Sequence, residues 1–114
     1  MHEYPVTQKI IQIAEKTARD HNAIKIIKIK LAVGELSGFI GESIQMYFDI
    51  LSKNSIAEGA EIVIRSIRQK LKCESCGHYF TRRKYSFICP KCGGSGLPSE
   101  TGKEFYIENI EIIN

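Results

Sequence analysis
Two pairs of cysteines constrain this chain more tightly than anything else in it. "CESCG" at 73–77 and "CPKCG" at 89–93 place Cys73 and Cys76, then Cys89 and Cys92, in two CxxC turns with twelve residues between them. Within each turn both thiolates can face one ion, and the glycine that follows lets backbone N–H groups approach the sulfurs. Two such turns close a tetrahedral four-sulfur site with no open position, which filled by zinc is structural. The surrounding segment is too short to fold on a core of its own. The metal must therefore supply its stability, on the order of 10–16 kcal/mol in zinc peptides.

Other uses of the cysteines compete with this one. Four-sulfur coordination also accommodates iron, and "CPKCG" suits a rubredoxin-like site. Disulfides fit less well, because paired CxxC motifs without an export signal chelate metals or carry redox chemistry. The loop between the pairs, "GHYFTRRKYSFI", is basic and punctuated by Phe and Tyr, like the hairpin of a zinc ribbon. From Arg68 to Cys92 seven bases face one acid, a net +6, so against a total of +3 the rest of the chain is −3. Four thiolates around a dication bring the segment to about +4. Arg82, Arg83 and Lys84 beside Tyr79, Phe80, Tyr85 and Phe87 would suit phosphates and stacked bases; otherwise the aromatics pack the ribbon and the charges are solvated. A small nucleic-acid-binding ribbon is thus the alternative function.

A chain of 114 residues reads as one domain, or one domain with a small appended module, since it leaves little room for two independent cores. Apolar residues at Val6, Ile10, Ile13, Ala14 and Thr17 predict a helix from Val6 to about His21, with Pro5 suited to its first turn. "IKIIKIKLAV" at 24–33 predicts a strand with Ile27, Ile29, Leu31 and Val33 inward and a bulge near Ile26. After "GELSG" at 34–38, Ile44, Tyr47, Phe48 and Leu51 mark a second helix from about Gly41 to Lys53. Strands are expected from Ala60 to Ile67, with Ile62 and Ile64 inward, and from Glu104 to Ile113. A helix bridging two strands favours their running parallel. The expected fold is α+β: a two-layer body of two helices on a three-stranded sheet, with a zinc ribbon inserted before the last strand. The expected division is a body over 1–68 and 103–114 and a zinc-binding domain over 69–102.

The first three residues, "MHE", raise a second metal question. The amine of Met1, the backbone nitrogen of His2 and the His2 imidazole can form fused chelate rings on one ion, with the Glu3 amide or carboxylate as a further donor. Nickel(II) and copper(II) accept such nitrogen-rich tetragonal sets. The first turn of a helix leaves its N–H groups without intrahelical acceptors, so an amide there can lose its proton without breaking a helical bond. The competing reading is a polar start with no function. His21 and His78 read as surface groups or neighbours of the cysteines. No nucleophile is paired with a base and no Gly-rich phosphate loop occurs, so an enzyme is not expected. With no apolar run near the ~20 residues of a membrane helix and no export signal, a soluble cytoplasmic protein is expected.

Taken in order, "MHE", "VGELSG" followed by "ES" at 42–43, the two CxxC pairs and "GKEFYIENIEI" resemble the HypA family of hydrogenase nickel-incorporation proteins, over essentially the whole chain. The resemblance implies a nickel metallochaperone. It would take up Ni(II) at the N-terminus and pass it, with the GTPase HypB, to the large subunit of a [NiFe]-hydrogenase, in some organisms serving urease as well. On the matching positions it implies His2 as nickel ligand, with Glu3 adjoining and Met1 offering its amine, and Cys73, Cys76, Cys89 and Cys92 as ligands of a structural zinc. The chain departs from the family pattern at Tyr4 and Pro5, and at Gly41, where many members carry proline. These departures remove no metal donor, but the last leaves the start of the second helix open. A monomer or weak homodimer without membrane or nucleic-acid partners is expected. The ribbon, joined at both ends to sheet strands, is expected to influence access to the nickel.

Overall fold
A computed structural model describes residues 3–39, 41–81 and 86–114. The order of elements is α1 (Glu3–Asp20), β1 (Lys25–Gly34), α2 (Gly41–Leu51), β2 (Glu61–Ile67), β3 (Lys70–Cys73), β4 (Tyr79–Thr81), β5 (Gly96–Pro98) and β6 (Phe105–Ile113). Two three-stranded sheets result, in the orders β2-β1-β6 and β4-β3-β5. The fold is α+β, as expected, and α2 begins at Gly41 although the residue is not a proline. The chain divides into two compact units. The first comprises Met1–Ala32, Gly38–Arg65 and Tyr106–Asn114, and the second Val33–Ser37 with Ser66–Phe105.

In the first unit, α1 starts at Glu3, three residues ahead of the expected Val6, and buries Glu3, Thr7, Ile10, Ile11, Ala14 and Ala18. Those positions share one stripe at 3.6 residues per turn. Ile13 lies about a quarter-turn away from the stripe's centre and is 47% exposed, and Thr17 is also exposed, so the expected face was rotated. The helix closes with a left-handed residue at Asn22 (φ 58°). Ala23 N–H reaches back to Ala18 O (2.9 Å) and Asn22 N–H to Arg19 O (3.0 Å), the paired bonds of a Schellman cap.

Along β1 the buried apolar side chains are Ile26, Ile29, Leu31, Ala32 and Val33, while Ile27 is 42% exposed. Between Ile26 and Ile29 the chain has one residue more than strict alternation allows. Ile26 therefore takes the inward place that alternation assigns to Ile27, the irregularity expected near that point. Ile24 N–H donates to Ile113 O and Gly34 N–H to Glu104 O, both at 2.7 Å, so β6 runs antiparallel to β1. Lys28 reaches Glu61 at the start of β2 (3.8 Å) and Glu35 N–H bonds Ile67 O at its end (2.8 Å), so β2 is parallel to β1. Ile44 and Phe48 of α2 are fully buried, and Gln45 Oε1 accepts the Ile62 N–H at 3.0 Å. Ile62, Val63 and Ile64 are all half-buried rather than alternating. Each fully buried aliphatic or aromatic side chain contributes roughly 1.5–3 kcal/mol.

Charged side chains on the strands pair across them. Lys28 meets Glu111 (3.5 Å), Lys30 meets Glu108 (3.8 Å), and Arg65 meets both Glu108 and the Tyr106 hydroxyl. Hydrogen bonding to Arg65 outweighs burial and holds the Glu108 carboxyl below its usual range. Exposed pairs of this kind stabilise little individually.

Candidate metal centre
The second unit brings together the four cysteines that the spacing singled out. β3 delivers Cys73 as its last residue, and the chain then turns back into β4. In that turn Cys73 N–H donates to His78 O (2.9 Å) and Gly77 N–H to Cys73 O (3.0 Å). The same pattern recurs sixteen residues on, where Cys89 N–H donates to Gly94 O (2.8 Å) and Gly93 N–H to Cys89 O (2.9 Å). Both turns need a left-handed residue after the second cysteine, and Gly77 (φ 74°) and Gly93 (φ 80°) supply it without a Cβ penalty. Backbone N–H groups point at sulfur: Cys76 N–H at Cys73 Sγ (3.5 Å), Lys91 N–H at Cys89 Sγ (3.4 Å) and Gly94 N–H at Cys92 Sγ (3.4 Å).

The four Sγ atoms all lie within 4.8 Å of one another. Cys73 and Cys92 sulfurs are 3.3 Å apart and those of Cys76 and Cys89 3.7 Å, well beyond a disulfide bond, and all four are free thiols. A tetrahedral ion with metal–sulfur bonds of about 2.3 Å would set sulfurs about 3.8 Å apart, so the quartet fits such an ion closely.

The electrostatics agree with that fit. The Cys76 N–H, opposed by burial and helped by Cys92 and the Ser75 N–H, brings Cys73 down to about 6. Burial raises Cys89, but the N–H groups of Cys92 and Lys91 with the Cys76 thiol outweigh it and lower that group. At Cys92 the Gly94 N–H favours the thiolate. The thiols of Cys73, Cys76 and Cys89 together with burial prevail, and Cys92 is pushed up to about 12. Part of the quartet is thus prepared to ionise while its last member resists joining its neighbours. A shared cation removes that conflict, because coordination deprotonates thiols outright.

Around the quartet the packing is small. Leu71, Cys73, Phe80 and Cys89 form the buried apolar cluster. Of the aromatics that suited stacked bases, Phe80 is buried, Tyr79 is 55% exposed beneath Lys72 Nζ at 5.5 Å, and Phe87 is 49% exposed. Adjacent strand residues point to opposite faces, so Tyr79 and Phe80 cannot both line one surface. Arg82, Arg83, Lys84 and Tyr85 lie outside the described residues. His78 stacks on Phe80 at 6.3 Å, and His21 Nδ1 sits 2.9 Å from Thr17 O at the end of α1.

At the other expected metal site, Met1 and His2 lie outside the described residues. Glu3 opens α1 and is 5% exposed, and the Thr7 hydroxyl donates to its carbonyl one turn on. Tyr4 meets Tyr47 of α2 edge-to-face at 5.6 Å. Pro5 lies in the first turn, where its missing N–H breaks no helical bond.

A cluster that the chemistry of single residues did not reveal lies in the cysteine unit. Glu35 Oε1 accepts the Gln69 N–H (2.6 Å), Leu36 N–H donates to Gly102 O (2.6 Å), and Glu104 Oε1 accepts the Gly102 N–H (2.7 Å). A Cβ on Gly34 would come within 2.1 Å of Gly102 O, so only glycine permits this crossing. The available signal was the acid-and-glycine pattern shared by "GELSG" and "TGKE".

Comparisons with known proteins give one answer. A family model described as hydrogenase/urease nickel incorporation, metallochaperone, hypA matches residues 1–112. The hydrogenase maturation factor HypA of Caldanaerobacter subterraneus subsp. tengcongensis is 45% identical over 113 residues, spanning 98% of this chain and 99% of that one. The factor of the same name from Dehalococcoides mccartyi strain 195 is 37% identical over 112 residues, covering 98% and 94%. Among solved structures, a solution structure of HypA protein matches with a TM-score of 0.71 and 25% identity over 99% of this chain and 97% of that one. The Ni metallochaperone HypA from Helicobacter pylori shares the fold, with a TM-score of 0.63 and 23% identity over 97% of each chain.

Proposed function
The chain belongs to the HypA family of hydrogenase/urease nickel-incorporation metallochaperones, and from that membership we propose that it carries Ni(II) on its first residues and hands it on. The observation that carries the reading is that the family match runs from residue 1 to 112 and so includes "MHE" together with both CxxC turns. Met1 offers its amine, His2 its backbone nitrogen and imidazole, and Glu3 its amide or carboxylate. Chelate rings among neighbouring residues need little help from the fold, and the first turn of a helix supplies no intrahelical acceptors for its own amides. Donors set at a helix start can exchange one at a time, as a carrier requires. Because they must deprotonate to bind, the ion is released as pH falls.

Cys73, Cys76, Cys89 and Cys92 hold zinc, which cross-links the two turns and supplies stability that the small apolar cluster lacks. By function the chain divides into a nickel-binding part over 1–68 and 103–114 and a zinc-binding part over 69–102; the compact cysteine unit also takes in Val33–Ser37, Ser66–Arg68 and Lys103–Phe105. HypB and the large subunit of a [NiFe]-hydrogenase are the partners in delivery, with urease as a second recipient. The protein works in the cytoplasm and catalyses no reaction itself; no helix among the described residues is long and apolar enough to cross a membrane. Calorimetric titration of the zinc-loaded protein tests the reading. The His2→Ala variant is expected to lose at least about tenfold in nickel affinity, since loss of even an outer-shell partner of a metal ligand costs about 10–100-fold, and an unchanged affinity would contradict the assignment.

A further inference from the structure
We infer that Glu35 is a positioning residue of the four-cysteine site: its carboxylate anchors the strand that delivers Cys73. The inference rests on the reading of the cysteines as zinc ligands. The chain enters the ribbon through Ile67–Lys70 and leaves it through Ser99–Glu104, and the segment 34–36 bonds to both. Glu35 bonds the entry twice, through its own N–H to Ile67 O (2.8 Å) and through Oε1 to the Gln69 N–H (2.6 Å). Gly34 and Leu36 bond the exit, through Gly34 N–H to Glu104 O (2.7 Å) and Leu36 N–H to Gly102 O (2.6 Å). Entry and exit also bond each other, with Lys70 N–H on Thr101 Oγ1 (2.7 Å) and the Ser99 hydroxyl on Lys70 O (2.7 Å).

Gln69 is 6% exposed, so its N–H has little access to water and depends on the Glu35 carboxylate. The next residue begins β3, which ends on Cys73 paired with Gly96 of β5. A shift at Gln69 is therefore transmitted along one short, rigid strand to a sulfur. This accounts for the membership of Val33–Ser37 in the cysteine unit. The last residues of β1 are a structural part of that unit, and Glu35 holds its first ligand in register.

The experiment uses the full chain loaded with zinc. It follows transfer of the ion to the chelator 4-(2-pyridylazo)resorcinol, together with hydrogen exchange at the Gln69 amide. Glu35→Leu removes the acceptor at similar volume, and Glu35→Gln keeps a carbonyl oxygen that can take the same N–H. Glu35→Leu is expected to release zinc roughly tenfold faster, the scale of one hydrogen bond to a charged group, with loss of protection at Gln69. Glu35→Gln is expected to stay near the native rate, and protection within α1 is expected to be unchanged in both. Glu35→Ala removes the same acceptor with less apolar bulk and stands in if Glu35→Leu does not fold. Native-like zinc retention by Glu35→Leu or, in its place, by Glu35→Ala would overturn the anchor and leave the ligand assignment standing. A native protein that takes up no zinc would overturn the ligand assignment, and the anchor's role in zinc retention with it.

Discussion

The cysteine unit and the helical unit reach stability by different routes. In the helical unit Ile26, Ile29, Leu31, Ile44 and Phe48 are each fully buried, and charged residues line the strands outside that core. Among the described residues of the cysteine unit the apolar cluster is Leu71, Cys73, Phe80 and Cys89, so half of it consists of candidate metal ligands. One unit folds on hydrocarbon; the other, on the proposed reading, is held together by an ion. The same contrast separates the two proposed metals. An ion enclosed by four sulfurs on two matched turns is kept, whereas one bound by terminal donors ahead of a helix can be handed over. On the proposed reading, the exchangeable cargo belongs to the unit whose stability does not depend on it.

Removing the zinc is expected to break the comparison most dramatically. Chelation should abolish amide protection at Gly77, Cys89 and Gly93, a loss on the order of 10–16 kcal/mol in metal stabilisation, while the helical circular dichroism of α1 and α2 persists. Loss of both units together would show that the helical unit also depends on the ion. Next in size, Phe48→Ala is expected to cost the helical unit about 3–5 kcal/mol by chemical denaturation, with zinc content unchanged.

A smaller effect is expected where the ribbon is tightest. A Cβ on Gly96 would lie 2.5 Å from Phe80 Cζ and 3.0 Å from Leu71 Cβ. Gly96→Ala should therefore destabilise the cysteine unit by about 1–3 kcal/mol through overpacking, read as faster zinc loss with α1 unaffected. The smallest effect concerns the strands' charge pairs. The Glu108 carboxyl titrates below its usual value in the folded protein, mainly through its hydrogen bond to Arg65. Its contribution is therefore present above the ordinary glutamate value of about 4.3 and is lost as pH falls through the lowered one. Melting temperatures of native protein and Glu108→Gln should differ slightly at neutral pH and low salt, and converge in acid.

Legibility in the sequence followed the range of the interaction. The cysteine quartet was readable because each CxxC-Gly turn is local and its chemistry admits few alternatives. Both helices and the three body strands were readable from periodicity, as was the irregularity near Ile26. The face of α1 was not, since Ile13 is apolar yet exposed while Glu3 and Thr7 are buried, and hydropathy ranks these the other way. Which aromatic packs the ribbon was equally hidden, because Tyr79 and Phe80 are adjacent and only strand parity separates them. The Glu35–Gln69 bond spans 34 residues and joins a side chain to a backbone group, a contact that no pattern of residue types encodes. The identities of both metals rest on family membership and donor chemistry.

The central claim, that nickel is held by the chain's own first residues, is tested most directly by titrating nickel into zinc-loaded protein with its native start. The companion sample carries one extra glycine ahead of Met1. The extension displaces the amine from the His2 chelate and leaves both folded units untouched. Tight binding by the native start and its loss on extension is the expected result; equal binding by both would contradict the account and move the nickel elsewhere on the molecule.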